Sequence, residues 1–455
     1  MTVDTRKYTG VLISVTFLFL IWGFLTVMND ILIPYFKDVF ELSHFKSMLV
    51  QFAFFIAYFI GSLVYLLISI SSGDPITKIG YKKAIIIGLL ISAFGAFLFY
   101  PAAHYQSYAF FLLALFILAL GFTMLQIAAN PYVAILGPEK TASSRLNLAQ
   151  GFNSLGTTLA PAIGGFMIFK FFGEQSTGAD AVRVPYLIFG AVLLLLALFI
   201  RFAKLPQFVN KGMIEKGAGA LKYPHLVLGM IAVFMYVGGE VSIGSIMIKY
   251  LGLNKIAGLS EIEASKIVSL YWGGLMIGRF LGAISLSDFK NLLVKRIIML
   301  GIPVLAFVII TYLFDFSIAW KYLVLMAVQL IGFTIGKSMP ARTLTIFGIA
   351  VTLLLIVGVS TNGQIAMWAI VGIGLFNSIM WSNIFTLAIK GLGKHTSQGS
   401  SLLVMMILGG ALVPMLLGAV ADEVGVHYAL VVPVVCYLYI IFYGIRGHKI
   451  KVVAK

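Results

Sequence analysis

Apolar runs of about twenty residues recur along this chain from end to end, each long enough to cross roughly 30 Å of hydrocarbon as a helix. In lipid, every backbone N–H and C=O must find its partner inside the protein, so runs of this kind can only fold as a bundle of helices. The 455 residues are 61% hydrophobic and 11% charged, against ~25% charged in soluble domains. The fold class is therefore an all-α polytopic membrane protein.

The runs lie near 11–36, 46–70, 83–103, 107–136, 146–170 and 184–203, then near 224–252, 264–286, 293–314, 319–337, 343–359, 364–390, 398–420 and 427–445. Between the two sets is the longest hydrophilic stretch, Lys204 to Lys222, which holds Lys211, Glu215, Lys216, Gly217 and Gly219. It divides the chain into an N-terminal six-helix bundle (1–203), a cytoplasmic linker (204–222) and a C-terminal bundle (223–455). Two bundles joined mid-chain are the plan of many secondary transporters.

The net charge of +16 is explained by topology. With the N-terminus in the cytoplasm and one crossing per run, most of the 32 Lys and Arg fall on the cytoplasmic side, as the positive-inside rule requires. Both termini are then cytoplasmic. The basic surface faces the lipid bilayer of a cell (inner or plasma) membrane, and no nucleic acid is implied. The one cysteine, Cys436, precludes an intramolecular disulfide. Arg6 and Lys7 precede an apolar run that carries Trp22, Asn29 and Asp30, which reads as a retained first helix and not a cleaved signal.

Asp30 stands deep in that first run. A carboxylate at bilayer depth costs about 2.5–3.5 kcal/mol on insertion scales and is retained where it faces a protein interior or a water path. Other polar residues keep helical spacing: Gln51 and Tyr58, Gln126 and Asn130, and Asn147, Gln150 and Asn153. Residues at these intervals share one helix face. Taken singly, such amides are accounted for by hydrogen bonds between helices. Four helices with polar faces beside a carboxylate suit a ligand dense in hydroxyl groups, with Trp22 and Tyr58 lying against a sugar ring.

The second half carries a further carboxylate, Glu240, and a group of polar and aromatic residues, Asn377, Trp381 and Asn383. Arg279 reads as a residue that anchors the cytoplasmic end of its span. The sequence contains no phosphate-binding loop and no His/Cys cluster with metal-ligand spacing. No enzyme activity, cofactor or metal is expected.

The loop Gly73-Asp74-Pro-Ile-Thr-Lys78-Ile-Gly80-Tyr-Lys82-Lys83 resembles the latter part of the signature loop of the major facilitator superfamily, with Thr77 where an acid is usual. Four further segments resemble the fucose–galactose–glucose:proton symporter family: Trp22-Gly-Phe-Leu-Thr-Val-Met-Asn29-Asp30-Ile-Leu-Ile-Pro34, Leu125-Gln126-Ile-Ala-Ala-Asn130-Pro131-Tyr132, Gly137-Pro138-Glu139, and Arg145-Leu-Asn147-Leu-Ala-Gln150-Gly-Phe-Asn153. The resemblance implies a proton-coupling role for Asp30 and sugar contacts for Trp22, Gln150 and Asn153. A second acid of the fucose branch is replaced here by Gln126. Glu240, as in the glucose/galactose branch, is the candidate substitute. Aligned on the family's twelve spans, the chain has an extra helix pair inserted at about 291–340, giving about fourteen transmembrane helices.

The resulting expectation is a two-bundle secondary active transporter that takes up a hexose with protons by alternating access. Its proton-coupling residues are Asp30 and Glu240, and its substrate-binding residues are Trp22, Asn29, Gln51, Tyr58, Gln126, Asn130, Gln150, Asn153, Asn377 and Trp381. Its partners are a monosaccharide, H+ and the bilayer, and the protein is expected to be a monomer. The alternatives are coupling to Na+, uncoupled facilitation or export, and a non-transporting sensor.

Overall fold

The computed structural model describes residues 9–173, 178–203, 205–206 and 216–450. Arg6, Lys7, Lys211 and Glu215 lie outside the described residues. Among the described residues, fourteen helices are long and apolar enough to span a membrane. The first six are α1 (Gly10–Val39), α2 (Lys46–Ser72), α3 (Tyr81–His104), α4 (Tyr108–Ile135), α5 (Glu139–Phe171) and α6 (Gly178–Phe202). Eight follow: α7 (Pro224–Gly252), α8 (Glu261–Ser285), α9 (Leu292–Leu313), α10 (Phe316–Gly336), α11 (Pro340–Ser360), α12 (Gly363–Ala388), α13 (Gly393–Val424) and α14 (Val426–Gly447).

The helix ends follow local chemistry, because the first turn of a helix has backbone N–H groups without intrahelical acceptors. Ser43, Ser107, Asn291 and Asp315 each accept such a bond at the start of α2, α4, α9 and α10. Ser260 and Glu263 form a reciprocal capping box at the start of α8. In the basic loop after α2, Asp74 caps the short helix Pro75–Ile79 and accepts a 2.9 Å hydrogen bond from the Tyr65 hydroxyl. Lys82 donates to the Ala203 carbonyl at the end of α6. The loop's charged groups are thus spent on tying neighbouring helices together.

By contact the chain sorts into two compact units. One holds Met1–Gly137, Phe152–Lys222 and Leu392–Met405; the other holds Pro138–Gly151, Tyr223–Gly391 and Met406–Lys455. In the first unit, α13 contributes Gln398, which donates to Ser69 (2.9 Å) and to the Gly217 carbonyl (3.1 Å). Ser401 in turn donates to the Ser62 carbonyl at 3.0 Å. In the second unit, the start of α5 is fixed by a 2.6 Å bond between Ser143 and Thr386 and by Ser144 donating to the Ala283 carbonyl, also at 2.6 Å. Helix α5 therefore passes from one unit to the other just after Gly151.

The centre of the second unit is α12, where residues 369–389 are buried without a gap. It is not one continuous helix. Regular α-structure stops at Asn377 and resumes at Met380. Helix α13 is likewise interrupted, by a 3-10 turn at Met406–Leu408. Of the extra pair α9–α10, α9 lies on the outside. Leu293, Ile297, Leu300, Val304 and Tyr312 are all exposed on α9. Its foot is pinned by Lys295, whose ammonium donates to the Ser285 carbonyl (2.6 Å), the Ser287 carbonyl (3.1 Å) and the Ser338 hydroxyl (3.0 Å).

A spanning pair puts the α9–α10 turn on the face opposite Lys295. In a Cys436→Ser background, a single cysteine at Ser317 is expected to react with an impermeant thiol reagent added outside cells, and cysteines at Asn291 and Ser338 are expected not to. External labelling at Asn291 or Ser338 alongside Ser317, or protection at Ser317 in a correctly inserted protein, would reject the fourteen-span arrangement.

Candidate functional site

In the first unit the site is built around α1. Asp30 is exposed and its carboxylate has no hydrogen-bond or ion-pair partner among the described residues, although Met28, Asn29, Ile31 and Leu32 around it are all buried. Pro34 lies four residues on, inside the helix, and has no N–H to offer the Asp30 carbonyl. The helix is thus weakened at the residue that carries the acid. A bare carboxylate facing accessible space at this depth can take up and release a proton without first breaking a salt bridge.

In the same unit, α1, α2 and α4 make a wall of aromatic rings and amides. Trp22 is 4% exposed and packs on Phe19 and Phe122 at centroid distances of 5.2 and 6.5 Å. The Tyr58 hydroxyl lies within reach of both the Trp22 indole N–H and the Gln126 amide. Gln126 accepts in turn from Asn130 Nδ2 at 2.9 Å. The helical spacing of Gln126 and Asn130 thus places both amides on one connected line with Tyr58 and Trp22. Asn29 Nδ2 and Gln51 Oε1 are buried without a partner. An orphaned polar atom in a protein interior costs about 1–3 kcal/mol, and a ligand or water that supplies the missing bond removes that cost.

Asn153 lies on α5, and its Nδ2 donates to the Phe19 carbonyl of α1 at 3.0 Å. The backbones are close at this point. A Cβ added at Gly23 would collide with the Asn153 carbonyl oxygen, and one added at Gly156 would collide with that of Leu20. Gln150, one turn earlier on α5, is 6% exposed and belongs to the second unit.

The second unit has its own polar centre, on α7, α8, α12 and α14. The Tyr236 hydroxyl lies within reach of the Glu240 carboxylate, and Arg279 is close enough to act on that charge. Tyr271 donates to the Glu240 backbone carbonyl at 3.1 Å and accepts from Asn377 Nδ2 at 3.0 Å. The Asn377 carbonyl accepts from Tyr236 at 3.4 Å. Tyr437 of α14 adds a buried hydroxyl with no partner, as Asn377 does with its Oδ1 and Trp381 with its indole N–H. Arg279 points into the protein, where it donates to the Ser378 carbonyl (3.3 Å) and to the Gln150 carbonyl (3.5 Å). The anchoring role expected for it at the membrane face is corrected on this point: the guanidinium finds acceptors inside and has no need to snorkel.

Asn383 is separate from both centres. It accepts from Asn147 and donates to the Pro340 carbonyl, which makes both asparagines links between helices. Tyr236, Tyr271 and Tyr437 were missed from sequence. A tyrosine in an apolar helix carries no signal that separates it from core packing, although each lies within reach of Glu240 or Asn377. Among the described residues no group of three or more His, Cys, Asp or Glu could hold a metal ion.

The close approach of α1 and α5 can be tested directly. Gly23→Ala is expected to destabilise the protein by about 1–3 kcal/mol through overpacking, read as a lower unfolding temperature in detergent. Unchanged thermal stability would mean that the two backbones have room to separate.

Comparison with known proteins gives concordant results. The Major Facilitator Superfamily profile matches residues 11–345. A glucose/galactose transporter of Brucella abortus is 43% identical over 453 residues, covering 98% of this chain and 96% of the relative. An L-fucose–proton symporter of Escherichia coli is 30% identical over 467 residues, covering 97% and 94%. A solved structure of the E. coli fucose:proton symporter superposes with a TM-score of 0.76 at 28% identity, over 98% of this chain and all of the other. With the broken helices, the intramembrane acids and the aromatic–amide wall, these matches identify the chain as a member of the Major Facilitator Superfamily, in its fucose–galactose–glucose:proton symporter family.

Proposed function

We propose that this protein is a secondary active transporter that carries a hexose of the glucose/galactose type into the cell together with protons, by alternating access. The observation that carries the reading is the unpartnered Asp30 carboxylate on α1, the helix that also supplies Trp22 to a wall formed with Tyr58, Gln126 and Asn130. Amides and hydroxyls suit the dense hydroxyl groups of a sugar, and an indole or phenol ring suits its apolar face. The relatives named for glucose/galactose and fucose–proton transport support the same substrate class. Asn29, Gln51, Gln150 and Asn153 complete the proposed sugar contacts in the first half of the chain; Asn377 and Trp381 do so in the second.

In this reading Asp30 takes up a proton from outside when sugar binds. Neutralisation removes the cost of enclosing a charge. Loss of the proton inside then favours release of the sugar. One charge moving through 100 mV is worth about 2.3 kcal/mol, enough for a roughly 50-fold sugar gradient at one proton per sugar. Glu240 is assigned the part of the second acid that Gln126 no longer supplies. The protein is placed in the cell's inner or plasma membrane as a monomer, with both termini in the cytoplasm.

Asp30→Asn is expected to abolish sugar accumulation in proteoliposomes while leaving counterflow exchange, because exchange needs only the neutral state that Asn mimics. A variant that still concentrates sugar would remove Asp30 from the coupling step.

Glu240→Gln is expected to alter the pH dependence of uptake, and adding Gln126→Glu to restore it. A wild-type pH profile in the single variant would leave Glu240 as a packing residue.

A further inference from the structure

Helix α10 belongs to the inserted pair, yet it reaches the polar centre of the second unit. Tyr322 and Gln329, seven residues apart and on one face, are each wholly buried. Tyr322 donates to the Leu270 carbonyl of α8 at 2.8 Å. Gln329 Nε2 donates to the Leu375 carbonyl of α12 at 2.5 Å. Two glycines of α8 admit these side chains. A Cβ at Gly274 would meet the Tyr322 hydroxyl at 2.5 Å, and a Cβ at Gly278 would collide with both Ser378 Oγ and Gln329 Nε2.

Leu375 lies at the edge of the interruption in α12, where the helix has lost its regular bonds between Asn377 and Met380. The carbonyls there must be satisfied from elsewhere. Ser378 Oγ and Gln329 bond that of Leu375, Tyr236 bonds that of Asn377, and Arg279 bonds that of Ser378. Three of these donors come from other helices. Two of those, Tyr236 and Arg279, also act on Glu240. Gln329 alone comes from the inserted pair.

We infer that Gln329 is a positioning residue for transport: it fixes the interrupted segment of α12 so that Asn377 and Arg279 are held in register with Tyr271, Tyr236 and Glu240. The inserted pair thereby acts on the working centre and is more than an outer, lipid-facing addition. The functional part of the inference rests on the sugar–proton symport reading; the structural part does not.

The experiment compares Gln329→Met, which keeps length and removes the donor, with Tyr322→Phe, which removes a bond from the same helix to unbroken α8. Both full-length variants are purified and first checked for thermal stability. Hydrogen exchange by mass spectrometry then reads the amides of residues 374–380. Gln329→Met is expected to raise exchange there by about 2- to 10-fold, the range for one lost hydrogen bond, while Tyr322→Phe leaves it at the wild-type rate. In proteoliposomes, Gln329→Met is expected to raise the sugar KM by a similar factor and to displace the pH profile of uptake, with Vmax and Tyr322→Phe little changed. Unaltered exchange in a well-folded Gln329→Met protein overturns the inference, as does equal loss in both variants. Raised exchange with a wild-type KM and pH profile overturns the positioning role and leaves Gln329 as a strut. A wild-type protein that moves no hexose would sink the symport reading, and the exchange comparison would still decide whether Gln329 holds the break.

Discussion

The rest of the second unit depends on one constraint: a helix that breaks inside a membrane must have its freed carbonyls satisfied by protein. Helix α12 breaks where it is most deeply enclosed, among the buried residues 369–389. Side chains from α7, α8 and α10 converge on a few of its backbone oxygens. Two of them, Tyr236 and Arg279, also act on Glu240. The polar centre of this half and the break therefore share Tyr236 and Arg279, which mend the backbone and also set the environment of the acid. Broken spans recur at transporter sites for this reason: the unwound turn supplies directed polar groups at a depth where intact helices present only side chains.

The two acids sit in opposite settings. Asp30 is exposed, unpartnered and next to a proline that loosens its helix. Glu240 is half-buried within a network of tyrosines, with Arg279 close by. An open carboxylate can exchange protons with little rearrangement. One held in a network responds when the network moves, because its neighbours' hydroxyls and the guanidinium charge are tied to α8 and α12. In the proposed symport, this division would give the proton to one group and leave the other to respond to the position of the helices.

Much of this was legible in the sequence, and the rest was hidden for physical reasons. The fourteen spans were readable because twenty apolar residues admit almost no other structure in lipid. Asp30 was readable because a charge at that depth is expensive. Gln51 with Tyr58, and Gln126 with Asn130, were readable as polar faces because helix periodicity sets each pair on one side of its own helix. The interruption of α12 left no trace, since the stretch Phe376-Asn-Ser-Ile-Met-Trp381 contains neither glycine nor proline. Gln329 was invisible for a related reason. A single amide in an apolar helix says nothing of its partner when that partner is a backbone carbonyl 46 residues away. Asn147 shows the limit of periodicity: it shares a face with Gln150 and Asn153, yet it is spent on Ser143 and Asn383.

The contact between α1 and α5 has a mechanical meaning. At Gly23 and Gly156 the two backbones are too close to admit even a methyl group, and Asn153 bonds the α1 main chain directly. Interlocked backbones cannot slide or roll past one another without separating first, so these two helices form a single stiff beam. The acid is carried on one member of the beam, and Gln150 and Asn153 on the other. In the proposed symport, a change at Asp30 would therefore be felt at Asn153, whose side chain is bonded to the α1 main chain. Two glycines, with no chemistry of their own, thus set how closely the helix that carries the acid is joined to its neighbour.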